Sequence, residues 1–296
     1  MHERQSKDWA ASGLLQIHVA VLLFGLAGLF GKYIALPAPL ITLGRVLFAA
    51  LSLGIILVAT GRTFRLRTRR DGVLLPLTGV VLAVHWTAFF QSIQLSTVAV
   101  GLVSFATFPV FVTFMEPLVT RQRMQVIDLL LALLTLLGVA LVVPSFELAD
   151  NTTQGVLWGL LGAASFAVLS LLNRHYAQRY SSLVIAFYQD SLAAAVLLPF
   201  LLLDPRPITL RDLLLLALLG IVFTALTHTL FIQGLTVVRA YTASIIASLE
   251  PVYGIVFAAL LLAEIPTWRT LLGGAVILLV VTYASWRHKS SEGADS

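Results

Sequence analysis

Apolar residues along this chain neither alternate nor keep to one helical face. They continue in blocks of about twenty residues separated by short polar breaks. A bilayer core of about 30 Å requires about 20 residues of helix, and ten blocks come close to that length: 14–36, 40–60, 73–93, 98–119, 126–143, 156–172, 183–203, 213–235, 240–262 and 271–286. Each is predicted to be a transmembrane helix. Transmembrane strands would alternate apolar and polar positions over about ten residues, which these blocks do not do, so the predicted class is an all-α integral membrane protein.

Composition agrees: 59% of the 296 residues are hydrophobic and 11% charged, with a mean hydropathy of +0.96. No length remains for a large soluble domain. Residues 1–12 carry both signs of charge and lack a small-residue cleavage pattern, so the first helix is expected to be retained. The chain has no cysteine, which excludes disulfides and thiolate chemistry. It also lacks a Walker A sequence, HExxH, GxSxG and any clustered Asp/His set. No catalytic residue, metal or cofactor is expected, and an enzyme is not the reading.

Charge sets the orientation. Of the 19 Lys and Arg residues, fourteen fall at one set of alternate span ends, four at the other, and Arg45 inside a span. By the positive-inside rule both termini are predicted to face the cytoplasm. The basic excess therefore reads as topology and not as a nucleic-acid surface. The run "GRTFRLRTRR" is its densest stretch, with a lipid-headgroup patch as the alternative.

Sliding the chain against itself by 142 residues places Phe24 on Phe166, Gln91 on Gln233, Pro109 on Pro251 and Leu118 on Leu260. Each helix lands on the one five places later. The predicted organisation is two five-helix repeats, 1–150 and 151–296. Because five is odd, the second repeat enters the membrane with opposite polarity, the inverted-repeat logic of secondary transporters, with a ligand site near the midplane.

Several residues are too polar for that depth unless a cavity or a partner receives them. Glu250 sits mid-span, about 15 Å deep, and Arg45 lies about 7 Å in. An ion pair between them is one expectation and substrate contact the other. Asp190 on the seventh span is read in the same two ways. On the third span "VHWTAFF" sets His85 and Phe89 on one face with Trp86 beside them, suited to an amphipathic ligand or a cation held by ring faces; packing is the alternative. His228 is a weaker candidate of the same kind. Pro109 and Pro251, each lacking a backbone donor, are expected to break their helices as hinges or cavity elements. Glu116 and Glu264 lie near span ends and can snorkel. Gly25, Gly28 and Gly31 form a small-residue packing face.

The segment "SLEPVYGIVFAALLLAEIPTWRTLLGGAVIL" and its first-half echo "FATFPVFVTFMEPLVTRQRMQVIDLLLALLTLLGVAL" resemble the EamA-type branch of the drug/metabolite transporter superfamily. Arg45 in the second helix also fits that pattern. The resemblance spans essentially the whole chain. It implies a bacterial inner-membrane transporter, often an exporter of amino acids or related metabolites. The implied central cavity is lined by four helices of each half, carrying Arg45, His85, Trp86, Pro109, Asp190, His228 and Glu250. The fifth and tenth helices would serve packing or a homodimer. One departure stands out: Phe108 precedes Pro109 where Glu250 precedes Pro251. The expected function is alternating-access movement of a small-molecule substrate, most simply export. Multidrug efflux or metabolite uptake is the alternative within transport, and a passive channel the alternative outside it.

Overall fold

The computed structural model describes residues 2–120, 126–143, 147–204, 206–238, 243, 246–247 and 249–292. Within these residues all regular secondary structure is helical. Its elements are α1 (His2–Ala27), α2 (Phe30–Tyr33), α3 (Ala38–Ala59), α4 (Arg69–Leu95), α5 (Val98–Phe105), α6 (Phe108–Thr120), α7 (Val126–Val142), α8 (Asn151–Ala177), α9 (Ser182–Leu197), α10 (Phe200–Leu203), α11 (Leu210–Gly220), a π-helical turn (Ile221–Leu226), α12 (Thr227–Gly234), α13 (Glu250–Leu262) and α14 (Trp268–Glu292). Arg121, Arg123, Arg239 and part of the ninth expected span lie outside the described residues, as does the side chain of Glu116.

Among the described residues, seven helical stretches are long and apolar enough to cross a membrane: Ser12–Tyr33, Ala38–Ala59, Arg69–Leu95, Val98–Met115, Asn151–Ala177, Ser182–Leu203 and Leu210–Gly234. Leu130–Val142, Glu250–Leu262 and Trp268–Tyr283 are apolar but shorter than the about 20 residues a crossing needs. The structure therefore establishes a multi-span all-α protein, and the expected count of ten exceeds what these helix lengths establish. In the ninth expected span most of residues 239–248 lie outside the described residues, and α13 is described from Glu250 onward.

Helix starts follow the sequence chemistry. Thr68, Thr97 and Asp150 accept hydrogen bonds from the backbone N–H groups of Asp71, Val100 and Thr153, at 3.0, 3.1 and 2.8 Å. Thr209 and Asp212 form a reciprocal capping box. Such caps satisfy donors that neither lipid nor helix could. Long apolar side chains such as Ile55, Val58, Leu202 and Leu260 point outward, a surface that suits hydrocarbon and not water.

Interhelical contacts keep their pattern when each helix is exchanged for the one five spans away. The α4–α8 contact is matched by α12–α1, α4–α9 by α11–α3, and α5–α8 by α13–α1, while α3–α9 and α7–α14 map onto themselves. The α7–α14 pair packs against α5, where Val139, Val142, Ile277 and Val281 share a core with Val100 and Val103. Close approach depends on small residues at these crossings. A Cβ built on Gly25 would sit 3.0 Å from the Gly254 nitrogen and 3.1 Å from the Glu250 carbonyl oxygen, so α1 and α13 meet backbone to backbone.

Gly220 marks a second crossing, where an added Cβ would lie 2.6 Å from the Arg45 carbonyl oxygen and 3.2 Å from the Ala49 nitrogen. Backbone cannot retreat as a flexible side chain can. Gly220→Val is expected to destabilise the protein by about 1–3 kcal/mol, visible as a lower melting temperature in detergent. An unchanged melting temperature would mean that α3 and α11 are not held this closely.

Candidate functional site

Arg45 lies in the interior of α3 and is 1% exposed. Its guanidinium carbon sits 3.8 Å above the Trp86 ring centroid and 5.3 Å from that of Phe90. Its Nε donates to the Thr224 hydroxyl at 3.0 Å, and a terminal nitrogen makes a long 3.5 Å contact to the Phe223 carbonyl. Both acceptors belong to the π-helical turn, where the widened register lets Thr224 Oγ1 donate in turn to the Leu219 carbonyl, five residues back, at 2.8 Å. A single-turn π insertion of this kind often marks a functional position in a helix. Sequence reading missed it, because "IVFTAL" carries no signal that separates it from ordinary helix.

The carboxylates stand apart from this guanidinium. Asp190 and Glu250 are close enough to act on Arg45 electrostatically, yet among the described residues neither forms an ion pair with it within 4 Å. The expected Arg45–Glu250 pair is therefore not formed. Glu250 opens α13, followed at once by Pro251. A carboxylate in the first turn meets the positive end of the helix dipole, and proline at that position gives up no intrahelical bond. The Glu-Pro pair is thus a helix start inside the membrane. The first half repeats the design: α5 ends at Phe105, Ala106 and Thr107 form a turn, and α6 restarts at Phe108 with Pro109 second.

These elements line a narrow pocket, with about 30 Å³ of space open to a water-sized molecule, whose wall includes Arg45, His85, Trp86, Phe89, His228 and Glu250. Six of the seven residues expected to bind substrate therefore converge. Asp190 does not reach the wall: it is fully buried, and among the described residues neither carboxylate oxygen has a hydrogen-bond partner. Pro109 also lies off the wall. Beside Asp190, Gln189 donates to Thr78 Oγ1 at 2.8 Å and to Asn173 Oδ1 at 2.7 Å, and Asn173 faces the cavity.

The remaining wall is aromatic. The His85 ring lies 4.9 Å from Phe166 and 5.3 Å from Phe105. Its Nδ1 is 2.9 Å from the Gly162 carbonyl, which only accepts, so the proton sits on Nδ1. His228 meets the edge of Trp86 at 5.6 Å, and its own Nδ1 has no hydrogen-bond partner among the described residues. Phe24, Phe105, Phe166, Phe231 and Asn173 also line the cavity, and sequence reading did not select them. The signal was present all the same, since the 142-residue offset pairs Phe24 with Phe166, Ala27 with Leu169, Trp86 with His228 and Phe89 with Phe231. All four pairs are on the wall.

Elsewhere the expected residues act structurally. Glu264 accepts from the Val98 backbone N–H at 3.1 Å, joining the end of α13 to the start of α5. Gly28 and Gly31 pack against Phe89, Phe90 and Ile93.

Comparison with known proteins supplies the context. A family model described as "EamA-like transporter family" matches residues 11–143 and again 153–286. An "Uncharacterized transporter YxxF" of Bacillus subtilis is 24% identical, covering 98% of this chain and 96% of its own length. An "Uncharacterized transporter" of Archaeoglobus fulgidus is 30% identical over 68% of this chain and 71% of its own. An "Uncharacterized inner membrane transporter YicL" of Salmonella typhimurium is 27% identical over 92% of this chain and 95% of its own. A protein of known crystal structure shares the fold, with a TM-score of 0.67 at 18% identity, covering 95% of this chain and 99% of that one.

The Thr224 hydroxyl is the closest polar anchor of a buried cation, so Thr224→Val is expected to cost about 1–3 kcal/mol. Trp86→Leu is expected to cost about 2 kcal/mol. Thermal or denaturant unfolding of the two single variants and the double variant would give a coupling energy above zero if both partners hold the same guanidinium. Additive losses would show that they act independently.

Proposed function

Because the chain belongs to the EamA-like transporter family, and so is a membrane transporter and not an enzyme, we propose that it is an alternating-access carrier for amino acids or related zwitterions, working as an exporter. The observation that carries this reading is the separation of opposite charges on one cavity wall. Arg45 and Glu250 share the wall without pairing. A zwitterion would bring a carboxylate to the guanidinium and an ammonium to the carboxylate, and the intervening rings would receive an apolar side chain or help hold the cation. Buried charges left apart raise the energy of the empty site and reward a ligand that bridges them.

Two inverted repeats, 1–150 and 151–296, supply the motion in this reading. Support comes from the exchange symmetry of the helix contacts and from the paired residues on the cavity wall. Related halves have two nearly equivalent packings, one open to each side. Pro109 and Pro251, at matched helix restarts, are the proposed hinges. The Lys and Arg asymmetry supports cytoplasmic termini, and the inner-membrane relative in Salmonella supports the bacterial inner membrane as location. Asp190, off the wall but within the field of Arg45, is assigned to tuning that charge and not to substrate contact.

Proteoliposomes loaded with unlabelled amino acids and assayed with a labelled panel test the carrier. The expected result is saturable uptake stimulated by substrate on the opposite side; flux without such stimulation would identify a passive channel. Arg45→Lys keeps the charge but loses the planar stacking on Trp86, and is expected to lower transport at least tenfold. Glu250, a carboxyl group on the cavity wall, is also the proposed site of any proton coupling; Glu250→Gln is expected to abolish a response to an imposed pH gradient, and an unchanged response would remove Glu250 from that role.

A further inference from the structure

A second cavity, lined by other residues than the first, lies between the start of α4 and the end of α8, with a volume of about 420 Å³. Arg70, His175 and Arg179 line it together with Asp71, Leu74 and Tyr176. The one carboxylate there is already engaged. Asp71 accepts a 2.6 Å hydrogen bond from the Tyr180 hydroxyl, which itself accepts from the Arg67 backbone N–H at 2.9 Å. Burial, and then the bond to Asp71, push the Tyr180 phenol up from its ordinary value, so it remains a donor. Asp71 stays ionised, held below the usual carboxylate range by the Tyr180 hydrogen bond, so the lining sets the two guanidinium groups of Arg70 and Arg179 against one carboxylate and keeps a net positive charge.

Topology alone does not explain this arrangement. The positive-inside rule requires arginines on one face of the membrane but not two of them, from segments a hundred residues apart, with a histidine around one recess. Arg62 and Arg65, on the same loop, do not line it. The recess also leads onto lipid-facing surface. Leu74 forms part of its wall and is 40% exposed, with Val73 and Leu77 exposed beside it on α4. A headgroup seated among the guanidinium groups would leave its acyl chains against these residues.

We propose that this recess binds a phosphate group, as the headgroup of an anionic lipid or as a free anion. Guanidinium groups match phosphate geometry by paired N–H donors, and basic recesses between membrane helices receive anionic headgroups. Occupancy braces the start of α4 against the end of α8, two helices from different halves of the chain.

The test uses the full-length protein in detergent and reads its melting temperature with added phosphatidylglycerol, phosphatidylcholine or inorganic phosphate. Phosphatidylglycerol is expected to raise the melting temperature by about 4 °C. The rise should persist in a charge-matched Arg62→Gln/Arg65→Gln control and vanish in Arg70→Gln/Arg179→Gln. A matching rise with inorganic phosphate would support the site with a free anion as its source. An equal rise with phosphatidylcholine, an equal loss in the control, or no rise in the wild type would overturn it. If the double variant does not fold, His175→Glu, which places a negative charge at the exposed rim, must abolish the rise; a retained rise would overturn the proposal.

Discussion

A guanidinium group held inside an apolar bundle constrains the rest of this structure. A cation at that depth costs at least about 2.5–3.5 kcal/mol if left alone, and Arg45 is not left alone. It is stacked on Trp86 from α4, hydrogen-bonded to the π-helical turn after α11, and within the fields of Asp190 on α9 and Glu250 on α13. Four elements must converge for α3 to carry this residue. Three of the four come from the second half of the chain, so the same interaction that makes Arg45 tolerable joins the halves.

The helices are interrupted where the cavity requires it. Exposed backbone polar groups are excluded from hydrocarbon and tolerated only where protein or a cavity receives them. Each interruption has a local device. The π-helical turn offers Thr224 and the Phe223 carbonyl to Arg45, while the restarts at Phe108 and Glu250 are each followed by a proline that gives up no hydrogen bond. The positive end of α13 then favours the carboxylate placed there. Glu250 and Pro251 thus make one structural unit, a helix start that also presents a carboxyl group to the cavity.

Symmetry builds the cavity, and departures from symmetry give it chemical character. Matched positions supply Phe24 and Phe166, or Phe89 and Phe231, and so enclose it with similar rings on both sides. Where the repeats differ, they differ in polarity: Trp86 against His228, and Phe108 against Glu250. Phe108 stacks on Phe105 at 5.4 Å, so the first-half position carries a ring where its counterpart carries a carboxyl group.

The sequence by itself determined the class, the duplication and most of the polar residues of the site. Each of these is a one-dimensional signal: unbroken apolar length, a constant offset of 142 residues, and the rarity of Arg45, His85 and Glu250 in such surroundings. Tertiary structure alone decided which of those residues meet. Arg45 could equally have paired with Glu250, and the separation of the two depended on a π-helical turn near residue 224 whose register no local pattern encodes. Asp190 looked like Glu250 in sequence, yet the rotation of α9 buried it behind the wall, and a helix apolar on every side carries no periodicity from which that rotation can be read. Phenylalanines became lining for the same reason. In an apolar helix a ring facing lipid and a ring facing a cavity are the same letter, and only the packing of neighbouring helices distinguishes them.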